Sequence, residues 1–565
     1  MAAISHGDID TAPARALDSL DTNMAALIRS RAESTELCER LIAALRLGGP
    51  DFQHLAAFVD RMARVVEPLR LREMLQTDTD VLGIFYEAFL RYGYDNNALG
   101  IVFTPRHITR FCVDLTDAGP FDAVFDPAAG TGGFLVAALE RIGAATARVR
   151  GFETNSTTWA LANLNLIFRG MPAGAIVHAS CFDTSYAADI RGKFTRAYLN
   201  PPFSQAHEAE VAFIGVAMEA LAPAGLAAAV VYAGVFADDE HLVWRREFLQ
   251  KHSVLAVISL PEELFYPTAA PTSILVARAH VPHENQPVLM ARVWNDGYEK
   301  RKGRRVAKAG EQLSEVRAAF TGFMSRDRVE SELCATIDGS RLANGAEWSP
   351  QHWLPQPPLA QGQMDAAQSA VVHAVFAAAV QYPILAWRAL GDFTGVWRAT
   401  LPALPYDRAA ALSEFFELAN GRSAGEKNYI EGDVPYVSSG AATNSIVSLV
   451  NLAEAEQFLH GGLTVTAFGQ GALQPWSFAA RGNGGSAVRV LLPRFAMSVR
   501  ELVWFAAQIN VQRWRFFYAR MAIKSRLAAP DFRVQSPPAA LPDTGPSLAQ
   551  RLQSVRATLR DAATL

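Results

Sequence analysis

Between residues 104 and 279 short apolar runs alternate with helical stretches, and one glycine-rich turn interrupts them at Gly130, Gly132 and Gly133. Apolar runs at Ala123-Val124-Phe125, Val149-Arg150-Gly151-Phe152, 226–232 and 254–258 read as buried strands. Strands separated by helices form a parallel sheet with helices on both faces. In such α/β sheets ligands bind at the carboxyl ends of strands, where glycines let the backbone approach closely. Asp126 marks the first strand's acidic end, Pro127, Ala128, Gly130, Thr131, Gly132 and Gly133 the turn, and the following helix begins at Phe134. Dinucleotide dehydrogenases use a similar turn, but the spacing here is not G-x-G-x-x-G. The next strand ends at Glu153, suited to accept from both hydroxyls of a ribose, and is followed by Thr154. The strand after that is expected to end near Asp183, placed for an adenine amino group. Any one of these acids alone could be a solvated loop end, about one time in three; three in register point to a nucleoside cofactor.

The apolar lead Ala197-Tyr198-Leu199 runs into Asn200-Pro201-Pro202-Phe203. By itself Asn-Pro-Pro is a rigid turn. Behind a cofactor turn it suits methyl transfer to an exocyclic amine, whose lone pair is delocalised into the ring. The Asn200 side-chain oxygen and the Pro201 carbonyl can hold the two N–H groups and steer the nitrogen towards tetrahedral geometry. The two prolines fix φ and preorganise the acceptors. Phe203 offers a face to a base extracted from a duplex. No strong general base is needed, because the proton can leave after the methyl arrives.

At 565 residues the chain exceeds one core. Hydrophobic residues make up 50% and charged residues 19%, ordinary for a globular protein, and the net charge of −4 makes any nucleic-acid surface a local patch. No basic region followed by an apolar run opens the sequence, and the longest weakly polar stretch, 225–237, is too short to span a bilayer. Cys38, Cys112, Cys181 and Cys334 have no metal-ligand spacing and read as free thiols of a reducing cytoplasm.

Residues 80–300 resemble the γ-class N6-adenine DNA methyltransferases, most closely the modification subunits of type I and related restriction-modification systems. The matching segments are Asp80 to Glu87, Gly100 to Pro105, Asp126 to Phe134, Gly151 to Asn155, Asn200 to Phe203 and Leu260 to Tyr266, in that order. The resemblance implies a Rossmann-like α/β core using S-adenosylmethionine (AdoMet). It implies that Phe103, Thr104 and Pro105 enclose the methionine end of the cofactor, that Asp126 and Gly130 line it, that Glu153 takes the ribose and that Asp183 takes the adenine. Phe265 and Tyr266 resemble a second aromatic wall around the target base. Ala129 stands where many relatives carry Cys. Asn rather than Ser at the head of the loop favours adenine over N4 of cytosine.

The segments 429–440 and 463–471 resemble target recognition domains of type I specificity subunits and type IIG enzymes. Between Arg481 and Arg526 nine basic residues, among them Arg513, Arg515 and Lys524, face one acid, Glu501. Such an excess suits DNA phosphates, as does the run Lys300, Arg301, Lys302, Arg304, Arg305, although charge runs are often only solvated faces. Candidate base readers are Ser438, Ser439, Asn444, Gln470, Gln474 and Arg481.

The expected organisation is a helical N-terminal domain at 1–99, a catalytic domain at 100–325, a helix-bearing linker at 326–390, a β-rich α+β recognition domain at 391–537 and a C-terminal helix at 538–565. In that last helix Leu548, Leu552, Val555 and Leu559 recur at coiled-coil-like spacing, which suits core packing or dimerisation. The expected activity is sequence-specific N6-methylation of a flipped-out adenine in double-stranded DNA. The enzyme would act in the bacterial cytoplasm at the nucleoid, as a homodimer reading a palindrome, alone or beside a separate restriction endonuclease, with no metal and no membrane. The alternatives are an N4-cytosine enzyme, a bifunctional restriction-modification protein, a methyltransferase of protein glutamine or RNA, and a non-catalytic DNA-binding regulator. The bifunctional reading needs Asp followed by Glu-x-Lys, which the first 95 residues lack.

Overall fold

The computed structural model describes residues 25, 26, 29, 30 and 35–45, residues 104–541 apart from 144, 168, 204–209, 266–270, 302–303, 344–345, 389–399, 441–442 and 486, and residues 553, 554 and 556–558. Most of the expected N-terminal helical domain, Phe103, Tyr266, Lys302 and the four apolar residues of the C-terminal stripe therefore lie outside the described residues. Two compact units divide at Pro350 and Gln351.

The first unit is built on a nine-stranded sheet. Its strands are β1 (Ala123–Asp126), β2 (Arg148–Glu153), β3 (Ile176–His178), β4 (Phe194–Leu199), β5 (Leu221–Tyr232), β6 (Ser253–Ser259), β7 (Thr272–Arg278) and β8 (Val288–Arg292). A basic hairpin, β9 (Tyr298–Arg301) and β10 (Arg304–Ala307), stands apart, and β11 (Cys334–Ile337) completes the sheet. The spatial order is β11-β8-β6-β7-β5-β4-β1-β2-β3. Pairs around β1 are parallel, as the alternating strand–helix pattern predicts, whereas β7 enters antiparallel between β5 and β6 and β11 antiparallel at the edge. Strand β6 is buried along its whole length, in keeping with a continuous apolar run covered on both faces.

Helices α1 (Thr35–Leu45), α2 (Arg106–Leu115), α3 (Gly133–Ile142) and α4 (Ser156–Ile167) belong to this unit. Ile108, Phe111, Cys112 and Leu115 give α2 a buried stripe at helical spacing. The chain runs β1 to β3 on one side of β1 and returns through β4 on the other, so the switch point lies at the carboxyl ends of β1 and β4.

In the second unit one four-stranded sheet has the order Phe416–Asn420, Arg489–Pro493, Gly462–Val465, Gly471–Gln474. Another has the order Ile446–Asn451, Ile430–Val437, Phe478–Ala480, Gln457–Phe458. Helices Gln361–Gln381 and Val499–Asn510 pack together and share the apolar core. No described helix is long and apolar enough to cross a membrane.

Candidate active site

Asp126 ends β1 and pairs in register with Gly151 of β2, and Glu153 at the end of β2 pairs with His178 of β3. The turn after β1 is held against β2 by Ala129 N donating to the Phe152 carbonyl at 2.8 Å. Gly130 and Gly132 take φ of +54° and +82°, the left-handed region that favours glycine. A Cβ on Gly130 would meet open space, so the turn exposes bare backbone where a ligand can approach. Gly151 does the opposite: a Cβ there would lie 2.9 Å from Ala129 Cβ and Ile176 Cδ1. Only a bare backbone lets the turn pack on β2.

Asp126 is buried; its Oδ1 accepts from Ala128 N at 3.0 Å, and its Oδ2 has no partner. Burial, with Glu153 nearby, pushes its carboxyl up to about 8 despite the Ala128 bond. Burial likewise raises Glu153, against backbone bonds from Asn155, Gly130 and Thr154. An orphaned oxygen on a buried carboxyl beside an open glycine turn fits a polar, cation-bearing ligand such as the amino acid end of AdoMet.

Asn200 follows β4. Its Nδ2 donates to Thr104 Oγ1 at 2.8 Å, across 96 residues, while its Oδ1 is buried without a partner. Pro105 begins the turn into α2, accepting from Ile108 N and Thr109 N. Pro201 is buried and Pro202 half-buried. Phe203 meets Phe265 edge to face, with ring centroids 5.6 Å apart at 73°. The site thus joins Thr104, Asn200, Phe203 and Phe265 from segments far apart in sequence.

Several expected site residues make other contacts in the structure. Strand β3 stops at His178, so Asp183 sits five residues further on, exposed, capping the turn at Thr184–Tyr186 through Ser185 N at 2.9 Å. Phe134 faces the core, stacked on Tyr198 at 5.9 Å, and is closed to a ligand. Thr131 lends its carbonyl to Asn165, and Thr154 is exposed with its carbonyl bonded to His178. Arg305 is no free phosphate contact: its guanidinium bonds Asp296 at 2.5 Å and the Glu263 carbonyl at 3.3 Å. Lys300 and Arg301 are exposed on the same hairpin, and Arg301 pairs with Glu299.

Residues expected to read DNA in the second unit also differ. Arg515 is buried and donates to the Gln351 and Leu354 carbonyls at 2.8 and 2.7 Å, so it ties its own unit together. Arg520 is buried too, which breaks the expected basic patch. Gln474 and Asn444 form a core network rather than base readers. Gln474 donates to the Asn444 carbonyl and to Thr464 Oγ1, accepts from Trp476 Nε1 at 3.2 Å, and Asn444 donates to the Leu473 carbonyl at 2.7 Å. Ser438 is buried, whereas Ser439, Gln470 and Arg481 are half-buried and Arg513 and Lys524 are exposed. Sequence reasoning missed His107 and Asp296, which bond at 2.9 Å across 189 residues and leave no local signal. No cluster of metal-ligating residues occurs among the described residues.

Residues 77–343 match the N-6 DNA Methylase family. The type II restriction enzyme and methyltransferase RM.BcgI of Heyndrickxia coagulans is 32% identical over 247 residues, 40% of this chain and 39% of that enzyme. The type I restriction enzyme MjaIX methylase subunit of Methanocaldococcus jannaschii is 27% identical over 237 residues, 36% of this chain and 42% of that subunit. The chain thus spans less than half the length of either relative. Among solved structures, the type I restriction-modification system methyltransferase subunit from Streptococcus thermophilus has a TM-score of 0.45 at 19% identity, covering 58% of this chain and 74% of that one.

Proposed function

We propose, starting from an N-6 DNA methylase domain at residues 77–343, that this chain is a DNA adenine N6-methyltransferase of a restriction-modification system. The observation that carries the reading is the Asn200 amide, whose nitrogen is engaged by Thr104 and whose oxygen is buried and unpartnered. An unpartnered acceptor in a buried loop costs free energy unless a donor arrives, and an exocyclic N–H is such a donor.

AdoMet, when bound, supplies an electrophilic methyl group. Asp126, the open turn at Gly130 and Glu153 are the residues that would hold it. Asn200 Oδ1 and the Pro201 carbonyl accept the two N–H groups of the target amine and turn its lone pair out of the ring plane. Phe203 and Phe265 part to receive the base, which replaces their mutual edge-to-face contact with stacking. After transfer, the surplus proton leaves the nitrogen to solvent.

Duplex DNA is the proposed substrate, read by exposed and half-buried residues of the second unit, with Arg513 and Lys524 on its phosphates. Two copies reading a palindrome are the proposed assembly, which a monomer by light scattering with and without DNA would rule out. The proposed setting is the bacterial cytoplasm, where the DNA and AdoMet are found. Labelling of unmethylated DNA from tritiated AdoMet by wild type but not by Asn200→Ala tests the reading. Equal labelling by both overturns it, and modification-aware sequencing returns the motif and the methylated atom.

A further inference from the structure

Asp296 is wholly buried, yet it carries two partners from distant segments. His107 Nε2 lies 2.9 Å from its Oδ2, and Arg305 lies 2.5 Å from its Oδ1. His107 stands on α2, three residues after the Thr104 that holds Asn200. Arg305 stands on β10 of the basic hairpin, and its other guanidinium nitrogen donates to the Glu263 carbonyl, two residues before Phe265. Tyr298 of the same hairpin closes the cluster, its ring 4.7 Å from that of His107 and 5.8 Å from the Arg305 guanidinium. The hairpin's base is pinned by Asn295, whose Nδ2 donates to the Ala309 and Gly310 carbonyls. Around it Lys300, Arg301 and Lys308 are exposed.

We infer that Arg305 is a positioning residue through which a DNA-gripping hairpin sets the geometry of the target-base pocket. The inference rests on the DNA methyltransferase reading above. The hairpin's exposed cations take the DNA backbone, a sequence-independent contact. Arg305 and Asp296 carry that engagement to two walls of the pocket, the Phe265 loop through the Glu263 carbonyl and the Thr104 segment through His107. A buried ion pair is a poor source of net stability, since desolvation offsets its attraction. Its forked geometry instead fixes the relative placement of the segments it joins.

The test uses the full chain, AdoMet and an unmethylated duplex carrying the target motif, with 2-aminopurine replacing the target adenine in a parallel set. Arg305→Lys keeps the charge and loses the fork. It is expected to lower kcat at least tenfold and to abolish the 2-aminopurine fluorescence rise, with AdoMet affinity and KM for DNA held within about threefold. Asp296→Asn is expected to move the same quantities in the same direction. Lys300→Ala is expected to raise KM for DNA and to flatten its salt dependence by about one unit of slope. An Arg305→Lys enzyme with wild-type kcat and fluorescence overturns the inference, as does one whose deficit matches its lost folded fraction. A wild type that methylates no DNA overturns the underlying reading itself.

Discussion

The Asn200 amide nitrogen donates to Thr104 Oγ1 at 2.8 Å, and the amide oxygen beside it is buried without a partner. An amide is nearly symmetric in shape, so only its partners choose between oxygen and nitrogen. With the nitrogen committed to Thr104, the oxygen is left as the acceptor in the loop. Thr104→Val should let the amide rotate and should slow single-turnover methylation about tenfold, near 1.4 kcal/mol of lost orientation. DNA affinity by fluorescence anisotropy should not change. Asn200→Ala should cost a hundredfold or more, on the order of 3 kcal/mol, as for removal of a preorganised catalytic dipole.

If Asp126 holds AdoMet as proposed, binding should depend on pH. Its carboxyl is pushed up to about 8, so at pH 7 the free protein holds it protonated. A cationic amino group placed against Oδ2 would favour the ionised form, so binding should release close to one proton at pH 7. Calorimetry in buffers of different ionisation enthalpy measures that release, and Asp126→Asn should remove it. Stability runs the other way. The folded state holds this proton more tightly than the unfolded chain, so the stabilisation is full below the unfolded value of 3.8 and is lost as pH rises towards about 8.

Gly151→Ala should loosen the cofactor turn. The added methyl would meet Ala129 and Ile176 at 2.9 Å in a packed layer, an overpacking that typically costs about 1–3 kcal/mol. Urea melts should show that loss, and AdoMet affinity should fall with it because the turn must move.

Gln474 and Arg513 should separate stability from DNA binding. Gln474→Leu leaves the Asn444 carbonyl, Thr464 Oγ1 and Trp476 Nε1 short of a partner, which should destabilise the second unit by about 2–3 kcal/mol. Arg513→Ala, at an exposed site, should leave the melt unchanged, weaken binding to all DNA sequences alike and lower the salt slope by about one.

Much of the first unit was legible because its chemistry is written locally. Glycines that must turn, prolines that must stiffen and buried strands that must be apolar each leave a mark within a few residues. The antiparallel entry of β7 between β5 and β6 leaves no such mark, since an apolar run reads alike in either direction. The polar residues deceived more. Arg515, Gln474 and Arg305 look like DNA ligands in sequence, but each has found a partner inside the fold, and partners 161, 30 and 42 residues away carry no local signature. For Asp183 only the strand end differs: β3 stops at His178, and the acid caps the turn that follows.

Asn444 holds a left-handed φ of 56° and is fastened from below by the Leu473 carbonyl and Gln474. The turn at Asn444 that leads into Ile446–Asn451 is therefore held by buried partners. Shape and vocabulary are separable in such a design: the buried clamp dictates the outline, while neighbouring surface side chains are free to vary. If this unit reads DNA as proposed, single substitutions at the exposed side chains should change the sequence read without loss of fold.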